Sequence, residues 1–503
     1  MKNTKHILVL AMSMIISGCS TPSGLSDNKT LNAIEQNMPE NWQANTSQEN
    51  NWQVNKAKPA AENLVADGWL KRFNDKALEQ MVAHALQKNY QLAADRKTVE
   101  LAKERLNVSA ASDFPELSLS IDNARIKQVT DSGVSYQTNA DISLNLGYEV
   151  DLWGKLSDQQ NQNRLDYAAA QANYQYNKLT LVANITKAWF DLTKAQQLLD
   201  LYQERSDNLQ RNLLMIQSSY QLGLNDALDV YLTKNTVNQE LARVAQQEQS
   251  IKVSSRVLEL LIGDYPLAKK IAERNLPYID EEINLGLPAQ LLTRRSDIQA
   301  GWLELLALDA GLAVAHKQRF PSFNLNAGVS DNASELTHLL DGGALAWSLL
   351  GSISTPLFNA GRLESLEQQA KLTVEQKEQQ YLQQVYQAFA DVENNISERE
   401  SLNRQYAYYL KAQENALAAE KLSFDQYLRG LVTYTTVLEA QRRSFDAQTT
   451  VIELTNQLLQ NRVETYLALG GDYFSVTNPV QQKSQSQGNS FPAPLTNLIR
   501  MEK

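Results

Sequence analysis

A change of hydrophobic period, made twice, limits this chain more than any other feature. Ile142, Leu144, Leu146, Tyr148 and Val150 alternate with Asp141, Ser143, Asn145, Gly147 and Glu149. That period of two describes a strand with one apolar and one polar face. After Asp151-Leu152-Trp153-Gly154 the spacing becomes the three-and-four of a helix and holds for about 66 residues, roughly 100 Å at 1.5 Å each. The same change recurs later, where Leu345, Trp347, Leu349, Gly351 and Ile353 give way through Pro356 and Gly361 to a second long helical run. The chain is two copies of a strand-to-long-helix unit offset by about 207 residues, a duplicated module rather than a solenoid.

The remaining signals fall into the same two copies. A helix is expected from near Asp75 to about Ala111, with a break near Asn89, and another from about Ala289 to Lys317. Phe114-Pro115 and Phe320-Pro321 stop them, because proline and the residue before it disfavour helix. Leu117, Leu119 and Ile121 then alternate in one copy, and Phe323, Leu325, Ala327 and Val329 in the other. The first hairpin is expected to close through a polar loop of about ten residues around Asp131-Ser132-Gly133, with Gln137 opening the return strand. Val182, Ile185, Trp189, Leu192 and Leu199 form a coiled-coil-like seam, read as core. The long helices end at Tyr220-Gln221-Leu222-Gly223 and Tyr427-Leu428-Arg429-Gly430, where glycine supplies a left-handed cap. Asn225 is placed to cap the next helix, with Asp226 and Asp229 in its first turns. That helix runs about 39 residues to Ile262-Gly263.

Net charge is −10 without a clustered basic patch, which argues against nucleic acid as a partner. Lys2 and Lys5 precede a short apolar run from Ile7 to Ile16, which is too short to span a bilayer and reads as an export signal. It ends at Ile16-Ser17-Gly18-Cys19, which resembles a bacterial lipobox. That resemblance implies a covalent N-terminal lipid, diacylglycerol plus an acyl chain, on Cys19, and Ser20 after it implies sorting to the outer membrane. Cys19 is the sole cysteine, so the mature chain has no disulfide. No later stretch is expected to reach the 18 or so apolar residues of a membrane helix. If the protein crosses a membrane, strands must do it.

Strands of about 10 to 14 residues suit a tilted membrane strand, and the same alternation also describes a half-buried sheet on a soluble protein; the export signal favours the membrane. In lipid their edges must be closed. Four strands cannot close, since barrels need about eight or more. If the strands cross lipid, the barrel must therefore be shared between chains. Helices of about 37 and 39 residues stacked end to end match the single one of about 66, which builds a wall of antiparallel helices. Continued below a shared barrel, that wall is a tube into the periplasm.

Several motifs together now support a family. Trp69-Leu70-Lys71-Arg72-Phe73-Asn74-Asp75 with Leu78 resembles the opening motif of the TolC-like outer-membrane efflux proteins, in the OprM-like lipoprotein branch. Tyr148 to Leu156 resembles the family's Tyr-Glu-x-Asp-Leu-Trp-Gly signature. Leu287-Pro288 and Leu291-Leu292-Thr293-Arg294-Arg295-Ser296-Asp297-Ile298 resemble its Leu-Leu-x-Arg-Arg-Pro-Asp-Ile motif. Leu438-Glu439-Ala440-Gln441-Arg442 resembles a Leu-Asp-Ala-Gln-Arg run near the closed tip. Ser296, Trp302 and Thr436 depart from the pattern.

The resemblance implies a mixed α and β fold: a trimeric transmembrane β-barrel with four strands per chain, continued by a periplasmic α-helical barrel. It implies an outer-membrane channel that passively conducts small toxic compounds for a resistance-nodulation-division (RND) pump. The implied partners are two further copies, a periplasmic adaptor, the inner-membrane transporter and outer-membrane lipid. Gly223 and Gly430 would be periplasmic tip turns. Asp226, Asp229, Glu439 and Arg442 are the gate candidates, and Pro115, Gly154, Pro321, Pro356 and Gly361 the strand–helix junctions. The expected layout is a signal peptide over 1–18, a lipid-anchored extended segment over 19–67, repeats over 68–265 and 266–474, and a disordered polar tail over 475–503. A polypeptide-secretion channel and a structural coiled-coil lipoprotein are the competing readings. An enzyme is set aside: His84, His316 and His338 are scattered, with no nucleophile motif, phosphate loop, cofactor or metal site.

Overall fold

The computed structural model describes residues 68–473 apart from 132, 225, 273–274, 280, 282, 284, 336, 338 and 340–344, and isolated positions 25, 34, 39 and 41–43 before them. The signal peptide, Cys19, Asn225 and the tail from 475 lie outside the described residues.

A short 3-10 turn at Trp69–Phe73 leads into α1 (Lys76–Lys88) and α2 (Tyr90–Ala111), then β1 (Glu116–Thr130), β2 (Gly133–Val150), α3 (Lys155–Gln221) and α4 (Ala227–Ile262). The plan then repeats as α5 (Pro288–Arg294), α6 (Ser296–Lys317), β3 (Ser322–Ala333), β4 (Ala346–Ser354), α7 (Arg362–Leu428) and α8 (Tyr434–Ala468). α3 and α7 are each 67 residues long and contain neither Gly nor Pro. Nothing in them interrupts the backbone ladder.

Three expectations are corrected. The first hairpin has a tight turn rather than a ten-residue loop, because β1 pairs with β2 all the way to Thr130↔Gly133. The helix expected over 289–317 is two helices, broken at Arg295 in extended conformation. α6 is also long and apolar enough to cross a membrane by length and composition, although 56% of that window is buried within the chain. Ile298, Ala300, Trp302, Leu305 and Leu312 are all buried.

The chain divides into two compact units, each drawing on both repeats: residues 1–36, 98–172 and 300–383, and residues 37–97, 173–299 and 384–503. The first holds the sheet. Its helical part packs Trp302 against Tyr381 with ring centres 5.5 Å apart, and Lys377 pairs with Glu304 across α7 and α6.

The second unit is built on the opening motif. Asp75 caps α1 by accepting from the amides of Ala77 and Leu78, and its other oxygen accepts from Trp189 Nε1 at 2.9 Å. One carboxylate thus starts a helix and orients a core ring. Trp69 stacks on Tyr466 at 5.6 Å, and Phe73 meets Phe190 at 5.0 Å. Emptying the Trp69 site with Trp69→Ala costs about 3–5 kcal/mol by the usual cavity rule.

Candidate functional site

The sheet runs β1-β2-β3-β4, all antiparallel. Register decides which side chains share a face. Ile121, Leu119 and Leu117 stand opposite Ile142, Leu144 and Leu146. Leu144, Leu146, Tyr148 and Val150 stand opposite Val329, Ala327, Leu325 and Phe323. These in turn face Trp347, Leu349, Gly351 and Ile353. One apolar face therefore extends unbroken across four strands from both repeats. It is exposed: Trp347 is 79% and Leu349 73% accessible. The other face carries Ser118, Asn145, Gly328 and Ser348 in one row and Ser120, Ser143 and Ser330 in the next. Leu350 breaks that polarity, and Asp331 lies buried on the apolar side. The outer edges of β1 and β4 pair with no strand among the described residues.

At the junctions, Asp151 accepts from the amides of Leu156 and Ser157 and from Ser157 Oγ, capping α3. Burial pushes its carboxyl up, but those hydrogen bonds outweigh burial and leave it below the usual value. Gly154 takes φ 74° between strand and helix, and its carbonyl accepts from Lys317 Nζ. Trp153 Nε1 donates to Pro321 O at 2.7 Å, and its ring meets Phe320. These bonds tie the junction of one repeat to that of the other. Pro115 precedes β1, while Pro356 and Gly361 lie exposed between β4 and α7.

The turns at Gly223 and Gly430 share one geometry. The glycines take φ 72° and 73°, and Leu224 N donates to Ser219 O at 2.9 Å as Leu431 N does to Gln426 O. Each closes a Schellman cap. Asp226 is the N-cap of α4, accepting from Leu228 N. Asp229 reaches across repeats: Tyr427 OH donates to its Oδ2 at 3.3 Å. Burial, then the Asp229 carboxylate, push the Tyr427 hydroxyl well above its ordinary pKa. Its ring also meets Tyr434, and Ile216, Val230, Tyr434 and Val437 form a small core beneath. Glu439 stays on α8, accepting from Arg442 at 2.9 and 3.0 Å and from Arg443 at 2.8 Å. Those bonds hold its carboxyl at about 2. The four gate candidates thus divide: Asp229 joins two repeats, Asp226 caps its own helix, and Glu439 and Arg442 pair along one helix.

Tyr427 was missed as Asp229's partner, although its echo of Tyr220 was visible in the sequence. Arg462 was missed too. It is nearly wholly buried on α8 and donates to Tyr466 OH and, at 2.7 Å, to Glu281 O in the segment between repeats. Among the described residues no cluster of His, Cys, Asp and Glu is arranged to hold a metal.

A family model described as outer membrane efflux protein matches residues 81–264 and 287–471, one stretch in each repeat. The probable outer membrane lipoprotein SilC of Salmonella typhimurium is 27% identical over 436 residues, covering 83% of this chain and 91% of that protein. The solvent efflux pump outer membrane protein SrpC of Pseudomonas putida is 28% identical over 410 residues, covering 80% and 86%. The solved structure of the Campylobacter jejuni CmeC outer membrane channel matches with a TM-score of 0.78 at 20% identity, covering 87% of this chain and 95% of that one. At that identity the match speaks for the fold.

Proposed function

The chain belongs to the outer membrane efflux protein family, and we propose that three copies close one barrel in the outer membrane and form a passive efflux channel. The apolar face that continues through four strands carries this reading. It is flanked by two strand edges that pair with no strand among the described residues, and a span in lipid cannot leave such edges open. Three four-stranded shares give a twelve-stranded barrel, with the apolar face toward lipid and the Ser/Asn face toward the lumen. The helical repeats continue the passage into the periplasm, and the tip turns at Gly223 and Gly430 meet an adaptor that brings an RND transporter. Cys19 carries the lipid anchor. The cargo is small ions or apolar compounds delivered by the pump, in keeping with relatives named for cation and for solvent efflux.

The gate is placed at the tips. Asp229–Tyr427 joins the two repeats of each chain and so occurs three times in a trimer. Glu439 and Arg442 present their charges on the neighbouring helix. Replacing both by Ala is expected to raise resting conductance; unchanged conductance assigns them to an ordinary helix surface.

The test of the channel reading uses the two faces of one strand. Leu146→Arg is expected to cost about 2–4 kcal/mol near the bilayer midplane and to block trimer assembly. Asn145→Arg, on the other face, should assemble and change the ion selectivity of conductance in planar bilayers. Equal effects at both positions overturn the assigned faces.

A further inference from the structure

The four strands hold two basic residues, Arg125 and Lys127, both on β1. The period of two that puts Leu117, Leu119 and Ile121 on the apolar face brings Arg125 and Lys127 to it as well, opposite Thr138 and Tyr136 of β2. The strand acids, apart from the buried Asp331, lie on the other face. Charge is therefore sorted by face, with the cations outside.

At this level the sheet has narrowed to a ribbon. β3 follows β2 only as far as Ala140↔Ala333, while the β1–β2 ladder continues to Thr130↔Gly133. The ribbon projects from the ends of the strands that are remote from the helices. Both basic side chains are exposed on it. The Arg125 guanidinium lies 5.3 Å from the centre of the Tyr136 ring, and neither cation makes an ion pair or a side-chain hydrogen bond among the described residues. A ring against one face of a guanidinium steadies it and leaves the N–H groups at its edge for an anion. The duplicated fold does not need the pair. Counted from Pro115 and Pro321, Arg125 and Lys127 correspond to Asp331 and Ala333.

Their height fits the membrane surface. The apolar run from Val150 to Ile142 spans about 27 Å of strand, or about 21 Å upright at a tilt of roughly 40°. Arg125 and Lys127 follow Ile121 by four and six residues, which lifts them about 10 and 16 Å above that apolar edge. Long basic side chains lean back toward the interface from such positions. Their charged ends then lie at the level of the lipid headgroups.

We propose that Arg125 and Lys127, with Tyr136 against the guanidinium, bind the phosphate of a phosphorylated lipid headgroup in the outer leaflet of the outer membrane. This rests on the reading of the apolar face as the one turned toward lipid. Arg125 offers paired N–H groups to the phosphate oxygens and Lys127 a second positive charge. Continuity with the apolar face selects a lipid over a free anion, because acyl chains below a phosphate held here lie along Ile121 and Ile142. A trimer carries three such sites.

The test titrates the full-length trimer in detergent with bis-phosphorylated lipid A, or with the same lipid after removal of both phosphates, and reads bound lipid by native mass spectrometry. The phosphorylated form is expected to bind about tenfold or more tightly than the dephosphorylated one. Arg125→Gln with Lys127→Gln should abolish that preference, while Arg125→Lys with Lys127→Arg should keep most of it. Both residues are exposed, so the variants should assemble. Equal binding of the two lipids by the unaltered protein overturns the proposal, as does a preference that survives in the double Gln variant. Displacement of the lipid by millimolar inorganic phosphate would make this a site for the free anion and overturn the lipid as its ligand. Ion selectivity in planar bilayers separates this from the channel reading. It should be unchanged in the double Gln variant. Altered selectivity with unaltered lipid binding would place both cations in the passage and overturn the assigned faces. Unaltered selectivity with unaltered lipid binding would overturn the lipid site alone.

Discussion

Two pairs of glycines at matching places in the repeats do different work. Gly223 and Gly430 end the long helices with φ 72° and 73°, and a Cβ built on either would meet nothing within 4 Å. Gly263 and Gly470 end the returning helices with φ 82° and 68°, but a Cβ there would lie 2.5 Å from Lys88 O and 2.9 Å from the Arg294 carbonyl carbon. The first pair supplies only a left-handed turn. The second supplies the turn and lets two backbones touch. Each touching point is the break between a short helix and the next, Asn89 in one repeat and Arg295 in the other. Asn89 locks its break by donating to Leu261 O and accepting from Leu92 N, both at 2.8 Å. Arg295 locks the other by bonding Asp297 and Asp391. The helix ends at Gly263 and Gly470 are thus fastened backbone to backbone, and the tips are not. That difference is the support for the gate proposed at those turns.

The sharpest way to break this contrast is Gly263→Ala. The new methyl must displace the Lys88 carbonyl, which is backbone and has no rotamer to yield, and the left-handed φ adds roughly 1–2 kcal/mol. A total cost of about 4 kcal/mol or more is expected, read as loss of folded trimer and a collapse of the thermal midpoint. Gly470→Ala, with contacts of 2.9 and 3.0 Å, should fall somewhat short of it. A Gly263→Ala protein as stable as a tip variant would erase the distinction.

The contrast also marks what could be read in advance. Repeats, strand faces and tip turns were legible because each follows from local period or from glycine. The reach of β1 and β2 was not. Beyond Ile121 the apolar alternation stops, and the ladder continues through pairs such as Asn123↔Ala140 and Arg125↔Thr138, which put polar side chains on the otherwise apolar face. The break at Arg295 was missed for a related reason. It has neither glycine nor proline, and the buried guanidinium holds it through an aspartate two residues on and another 96 residues away. The Asp229–Tyr427 bond spans 198 residues and depends on helix register, which periodicity does not set.

Acid offers a middle-sized test on the first repeat alone. Glu259, four residues before Gly263, is buried and accepts from the amides of Ala268, Lys269 and Lys270. Burial pushes its carboxyl up, but those amides overcome burial and hold it below the ordinary value. A carboxyl whose folded pKa lies below its unfolded one stabilises the fold above the unfolded value, and that stability drains away as pH falls through the folded one. Asp264 is also lowered, first by its hydrogen bond from His84 and then by charge from His84 and Lys270. The protection of the amides over 264–271, measured against their intrinsic exchange rate at each pH, should therefore fall as pH drops from about 5 toward 3, while that of the tips changes less. The variant Glu259→Gln should show the quickened exchange already at neutral pH. Unchanged protection across that range would assign the fastening there to the backbone contact at Gly263 rather than to Glu259.

The smallest effect should come from the tips themselves. In Gly223→Ala the methyl enters open space, so the only penalty is the left-handed conformation, about 1–2 kcal/mol. Asparagine tolerates that conformation far better than alanine, so Gly223→Asn should recover most of the loss. Neither change touches the Leu224-to-Ser219 bond, which is backbone to backbone. Thermal unfolding should move by a few degrees at most with alanine and hardly at all with asparagine. The order alanine below asparagine below glycine is what a conformational role alone requires. If asparagine were as damaging as alanine, bulk rather than backbone angle would be the limit at Gly223. Contacts made at that turn by a neighbouring chain or an adaptor would then set its glycine, and the same pair of substitutions at Gly430 would show whether both tips meet such a surface.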